Sequence, residues 1–187
     1  MTTKEIPAMS TYPTTPTEKP STRWWLRSDH AEVLIAAPAE RIYALIADLP
    51  RMGEWSPECT AVEWTGSFTA PAAGATFIGH NVGGPGGKLK WSRRGTVLVA
   101  TPGREFAFAT SEGGREGVVW RYELDPVEGG TLVRESYRVD WIPTWARIVD
   151  VPTNRARELA ESMQHTLARL KAAAEGGASN SSEGVPS

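Results

Sequence analysis

Glu135 stands on the wrong face of its strand. From Thr131 to Asp140 side chains alternate, so that Val133, Glu135, Tyr137 and Val139 share one face and Leu132, Arg134, Ser136 and Arg138 the other. A carboxyl on an apolar inner face must pair with a neighbour, be hydrated, or carry a raised pKa, and each option puts a polar feature inside. Arg93 or another neighbouring arginine could serve as a structural partner. The same test on Gly117 to Asp125 groups Val118, Trp120, Tyr122 and Leu124 inward, against Val119, Arg121 and Glu123. In Ala75 to Val82 it places Phe77, Gly79 and Asn81 inward, beside the loop Gly83-Gly84-Pro85-Gly86-Gly87, where the mouth of a cavity is expected. Trp91 shares a face with Arg93, Gly95, Val97 and Val99, and Gly95 permits close approach or a bend. His80 could exchange a proton near neutrality, but without a fixed carboxylate partner it reads as structural. Trp55 reads as core, Trp141 and Trp145 flank Pro143 as walls of an entrance, and Met163 is soft enough to meet varied apolar ligands. His165, four residues after Glu161, reads as half of a surface pair.

Other chemistries have no footing in these residues. Three scattered histidines and one cysteine, with no His-Glu-x-x-His, predict no metal site. The glycine loop lacks the lysine and hydroxyl of a phosphate loop, and no Gly-x-Ser-x-Gly elbow presents a nucleophile. No cofactor is expected. A formal net charge of -2, with both signs intermixed, gives no reason to expect nucleic acid. The single Cys59 excludes an internal disulfide and suits a reducing cytoplasm. No apolar run approaches the ~20 residues that span a bilayer, so no stable membrane insertion is expected.

The elements that must position these residues follow from periodicity. Residues 1–22 predict a disordered Thr/Pro-rich leader, 23–175 one folded domain, and 176–187 a disordered tail. His30 to Ala37 reads as a strand ended by Pro38. Ile42, Leu45, Ile46 and Leu49 make a short helix between Pro38 and Pro50, and Met52 to Trp55 a second helical turn. Six more strands follow: Thr60 to Thr65, Ala75 to Val82, Trp91 to Thr101, Glu105 to Thr110, Gly117 to Asp125 and Thr131 to Asp140. Gly113-Gly114, Asp125-Pro126 and Gly129-Gly130 are the predicted turns. Thr153 to Glu175, opened by Pro152 and closed by Gly176-Gly177, is a long helix with Leu159, Met163, Leu167 and Leu170 on one stripe beside Ala156 and Ala160. Seven antiparallel strands with one apolar face must bury it, and one helix is too narrow to fill the concavity, so a gap is expected.

This order resembles the START/Bet v 1-like superfamily, in its bacterial branch of polyketide cyclase/dehydrase and lipid-transport-like proteins. The resemblance spans Ala31 to Glu175 and rests on Ala37-Pro38-Ala39-Glu40-Arg41-Ile42-Tyr43, on Asp48 through Glu58, and on Met163 through Leu170 with Lys171. It implies an α+β helix-grip fold, a seven-stranded curved antiparallel sheet wrapped around a long C-terminal helix with two short helices after the first strand, and a hydrophobic cavity between sheet and helix. The expected function is binding or transport of a small hydrophobic ligand such as a lipid or polyketide, by Phe77, Asn81, Trp91, Trp120, Tyr122, Glu135, Tyr137 and Met163. The resemblance also implies an alternative, a cyclase or dehydratase with Glu135 as base and Tyr122 or Tyr137 donating to a developing enolate. A toxin-like role in a toxin-antitoxin pair is a third implication. A monomer or homodimer is expected.

Overall fold

The computed structural model describes residues 28–84, 87–112, 114–144 and 155–176. The leader, the tail beyond Gly176, Pro152, Thr153 and Trp145 lie outside the described residues. Seven strands form one antiparallel sheet: β1 (Ser28–Ile35), β2 (Cys59–Thr65), β3 (Thr76–Gly83), β4 (Leu89–Thr101), β5 (Glu105–Glu112), β6 (Arg115–Val127) and β7 (Gly130–Val139), in the order β1-β7-β6-β5-β4-β3-β2. Between β1 and β2 lie α1 (Ala39–Ala47) and a 3-10 helix (Leu49–Glu54), and α2 (Arg155–Gly176) closes the chain order. This is the helix-grip arrangement.

Local chemistry sets the boundaries. β1 stops at Ile35, two residues short of the expected end, because the Ala37 N–H turns back onto the Ile35 carbonyl at 2.8 Å. The Ala37 carbonyl is then taken by Thr131 Oγ1, also at 2.8 Å. Pro50 does not simply end α1; it opens the 3-10 helix that holds Met52 and delivers Trp55 to the core. The expected Asp125-Pro126 turn is instead strand. β6 runs on to Val127, with Pro126 opposite Thr131, and the chain reverses around Gly129 at φ 86°. Proline is tolerated there because β5 begins at Glu105, opposite Glu123. The Leu124 N–H reaches the Arg104 carbonyl, and two residues on, the side of Pro126 that lacks an N–H meets no strand. One parity assignment also changes. A bulge between Val97 and Val99 flips the pleat, so Ala100, not Val99, joins Val97 on the inner face.

The stripe of α2 is buried as expected at Leu159, Met163, Leu167 and Leu170, and continues through Thr166 and Ala174. Ala156 and Ala160 are half-buried. α2 lies chiefly along the edge strand β1 and more lightly on β7 and α1. Polar contacts pin it there. Lys171 Nζ donates to the Leu34 carbonyl at 2.5 Å and pairs with Glu175 at 2.9 Å, while Glu175 Oε1 accepts the Ala36 N–H at 2.8 Å. Glu161 pairs with Arg157 at 2.8 Å rather than with His165.

Because α2 favours one edge, the inner faces of β3, β4 and β5 are filled mainly by aromatic rings. Phe77 sits edge-on to Phe108 at 5.5 Å and to Trp64 at 6.1 Å, and Tyr43 of α1 edge-on to Phe106 at 6.2 Å. Gly95 makes this possible: a Cβ there would lie 2.2 Å from Phe77 Cζ.

Candidate functional site

Burial falls along the inner faces of β3 to β7 from the end near α1 toward the start of α2. On β5 it runs from Phe106 through Phe108 to half-buried Thr110; on β6 from Leu124 and Tyr122 to half-buried Trp120 and Val118; on β7 from Val133, Glu135 and Tyr137 to half-buried Val139. The same gradient runs on β3 from Phe77 to Asn81 and on β4 from Val97 to Arg93 and Trp91. The buried side chains divide accordingly. One large cluster holds the rings and α1 with Leu167 and Leu170; a smaller one joins Tyr137, Leu159 and Met163. Ala31 and Trp120 pack against both.

Glu135 lies at that seam and is 3% exposed. Its ladder neighbours are Tyr122 on β6 and the small Ala31 on β1. The Tyr122 hydroxyl donates to Glu135 Oε1 at 2.8 Å, and Oε2 is buried with no hydrogen-bond partner. The partner is thus a phenol, not the arginine considered from the sequence, and no ion pair among the described residues reaches this carboxyl. Burial pushes the Glu135 carboxyl up to about 8, and the Tyr122 hydrogen bond only partly restrains it. Tyr122 is itself raised well above its ordinary value, first by burial and then by Glu135 and Cys59. Burial likewise lifts the Cys59 thiol to about 11. Near neutrality all three groups hold their protons.

Around this pair the structure assembles part of the predicted set. Trp120 and Tyr137 approach ring to ring at 5.5 Å, and Met163, 1% exposed, packs in the cluster of Tyr137. Tyr137 is pushed up to about 12 by burial and by Asp29, opposite it on β1, with Arg155 pulling the other way. Asn81 and Trp91 face each other in register on β3 and β4, away from Glu135. Asn81 Nδ2 donates back to the Gly79 carbonyl at 3.3 Å, and the Trp91 ring lies over Gly83, where a Cβ would approach it to 2.9 Å. Phe77 is wedged among rings in the large cluster. His80 does have partners, contrary to expectation, but they are on the outer face: Ser92 Oγ at 2.9 Å from Nδ1 and the exposed Glu63 at 3.8 Å from Nε2. Trp141 lies under the Arg115 guanidinium at 5.5 Å.

Three contributors escaped the sequence. Arg155, near the start of α2, reaches Glu58 with hydrogen bonds of 2.5 and 2.7 Å across 97 residues of chain, and also Glu158 at 3.3 Å. Burial works against its charge, and the Glu58 and Glu158 carboxylates overcome that. Thr110 and Cys59 are the others. A strand-parity test on β5 would have found Thr110, whereas the Arg155 pairing has no local signal. A separate cleft of about 500 Å³ opens to solvent between Ala36 to Glu40 and Pro126 to Thr131. Its lining is alanine, proline and glycine with Glu40 and Thr131, and the Thr131 hydroxyl is already bonded to the Ala37 carbonyl, so no buried polar group there awaits a partner and it is not the candidate site. Among the described residues no cluster of ligating side chains could hold a metal, and no helix is long and apolar enough to cross a membrane.

A curved antiparallel sheet gripping one long helix, with its polar pair between the two, defines a helix-grip protein of the START/Bet v 1-like superfamily. The chain belongs to the polyketide cyclase/dehydrase and lipid transport family, whose model matches residues 30–175. The solution structure of a Polyketide_cyc-like protein from Corynebacterium glutamicum is 28% identical with a TM-score of 0.55, covering 84% of this chain and 97% of that one. The di-domain ARO/CYC StfQ of the steffimycin biosynthetic pathway superposes with a TM-score of 0.66 at 15% identity, over 83% of this chain and 53% of that chain. The Aha1 dimer of Colwellia psychrerythraea matches at 0.53 and 20% identity, over 80% and 97%. The last two show the shared fold alone. No curated protein matches the chain.

Proposed function

We propose that the chain binds a small, largely apolar molecule between the inner face of the sheet and the first half of α2, as a carrier or transport protein, with the Glu135–Tyr122 pair as its polar anchor. The observation that carries this is Glu135 Oε2, buried at the seam of two apolar clusters with nothing to bond. Leaving such an atom unsatisfied costs about 1–3 kcal/mol, and a ligand group that reaches it removes the penalty. Trp120, Tyr137, Met163 and half-buried Thr110 and Val139 supply an apolar surround with few polar points, the pattern of a small-molecule site. Family membership supports the same reading, and a lone half-buried thiol suits a cytoplasmic setting. Titration with a panel of hydrophobic ligands, followed by tryptophan fluorescence, should shift or quench emission because Trp120 lies at the seam; silence from every ligand overturns the proposal.

A second reading, a cyclase or dehydratase, is favoured by one observation. A carboxyl titrating near 8 is poised to exchange protons at physiological pH, with the Tyr122 hydroxyl beside it. In that case Glu135→Gln abolishes turnover and spares binding; unchanged turnover removes the role.

A further inference from the structure

We propose that the Glu135 anchor selects neutral ligands carrying a hydrogen-bond acceptor, a ketone, ester or quinone oxygen, by donating Oε2–H to it, and that it rejects carboxylates. This rests on the ligand-binding reading above and gives that ligand its chemical class.

The geometry divides the two carboxyl oxygens between two tasks. Oε1 accepts the Tyr122 hydroxyl at 2.8 Å, so it plays the carbonyl part of a carboxylic acid. The acid proton then belongs on Oε2, the oxygen without a partner. What the site presents is therefore a donor, and the complementary group is an acceptor. The charged and titratable groups on every element around it agree. Tyr122 on β6 and Cys59 on β2 are neutral; Tyr137 on β7 faces Asp29 on β1; Arg155 on α2 is committed to Glu58 and Glu158; Arg93 on β4 is engaged elsewhere than at Glu135, whose Oε2 has no partner. A carboxylate ligand would bring a second acid against Glu135 without a cation to neutralise either, and would leave its own oxygens competing for one proton. A hydrocarbon would fill the space but leave Oε2–H unmet.

The test uses the full chain and three probes on one skeleton: acetonaphthone, ethylnaphthalene and naphthoate. Acetonaphthone should bind roughly tenfold more tightly than ethylnaphthalene, the fold-change of one buried hydrogen bond, and naphthoate most weakly. Acetonaphthone affinity should fall as pH rises through about 8, where the acid ionises, while ethylnaphthalene affinity stays flat. Glu135→Gln, whose amide still donates, should keep the preference and lose the pH dependence; Glu135→Leu should bring acetonaphthone down to ethylnaphthalene. Equal affinities for those two probes, or tightest binding by naphthoate, overturn the ligand class and leave enclosure of an apolar molecule standing. Binding by none of the three, together with silence from the wider panel, sinks the binding reading and this inference with it. Independently of any ligand, an infrared difference spectrum of wild type minus Glu135→Gln at neutral pH should show the stretch of a protonated carboxyl. Its absence overturns the donor role even if probes bind.

Discussion

At the α1 end of the grip Ile35, Val97, Phe106 and Val133 are 0 or 1% exposed, whereas a few residues along the same strands Ala31, Arg93, Thr110 and Val139 are only half-buried. Both ends use one inner face of one sheet. The difference is what covers it: α1, the aromatic cluster and Leu167 to Ala174 fill the first end, with Thr131, Thr166, Tyr43 and the unpartnered Trp55 Nε1 among its few polar groups, while the second holds Glu135, Tyr122, Tyr137 and Asn81. Alternation along a strand decides which side chains face inward. Position along the strand decides whether they are packed or presented. A fold of this kind can thus place its stability at one end and its chemistry at the other, and each prediction below asks whether that division holds.

The largest expected effect is electrostatic and confined to the second end. Glu135 titrates near 8 when folded, against 4.5 ordinarily, so the folded chain holds this proton more tightly than the unfolded one. Its contribution is fully present below about 4.5 and is lost as pH rises through about 8, up to roughly 5 kcal/mol for a change of this size. Denaturant unfolding of wild type and Glu135→Gln across pH should show the variant gaining relative stability over that interval and holding level on either side. A difference independent of pH would mean the carboxyl is solvated after all. Next comes Phe106→Ala at the packed end, expected to cost about 3–5 kcal/mol, against less than half of that for Trp120→Ala at the other. Equal losses would erase the distinction between the two ends.

The packed end is where the sequence is most readable. Periods of two and of 3.6 identify all seven strands, both short helices and the buried stripe of α2, because each element must bury an apolar face whatever its neighbours do. They also place Glu135, Tyr122 and Tyr137 inward, since β6 and β7 pair without a register shift from Val118 to Val127 and the irregularity of β6 at Gly117 lies before that stretch. Where a bulge intervenes, at Val97 and Val99, parity fails and Val99 is assigned to the wrong face. Pro126 misleads for a related reason: its tolerance depends on where the neighbouring strand starts, which is a fact about pairing and not about proline. The partner of Glu135 was equally out of reach, since a carboxyl on an inner face is served as well by arginine as by phenol until register is known.

Gly95→Ala tests the ring packing at close range. A Cβ 2.2 Å from Phe77 Cζ cannot be accommodated without moving Phe77 against Trp64 and Phe108, so a loss of about 1–3 kcal/mol in unfolding free energy is expected. Phe77→Leu in the same background should recover part of it by vacating that space. Failure to recover would place the cost in the backbone of β4 rather than in the rings.

The smallest effect sharpens the comparison most. Arg155 and Glu58 join α2 to the residue before β2 with side chains 23% and 21% exposed, wet enough that the pair contributes about 1 kcal/mol to global stability. Its leverage is local. Leu167, Leu170 and Ala174 hold the far half of α2 in the large cluster, and Lys171 and Glu175 tie that half to β1, so it needs nothing from Arg155. The near half has Leu159 and Met163 in the small cluster and this one long-range ion pair. Arg155→Met should therefore raise amide exchange from Leu159 to Met163 well above what the change in global stability accounts for, while exchange at Leu167 to Ala174 changes only by the global amount. Uniform acceleration along the whole helix would show that α2 opens as one body, and the two ends of the grip would then be one cooperative unit with a polar pair inside it.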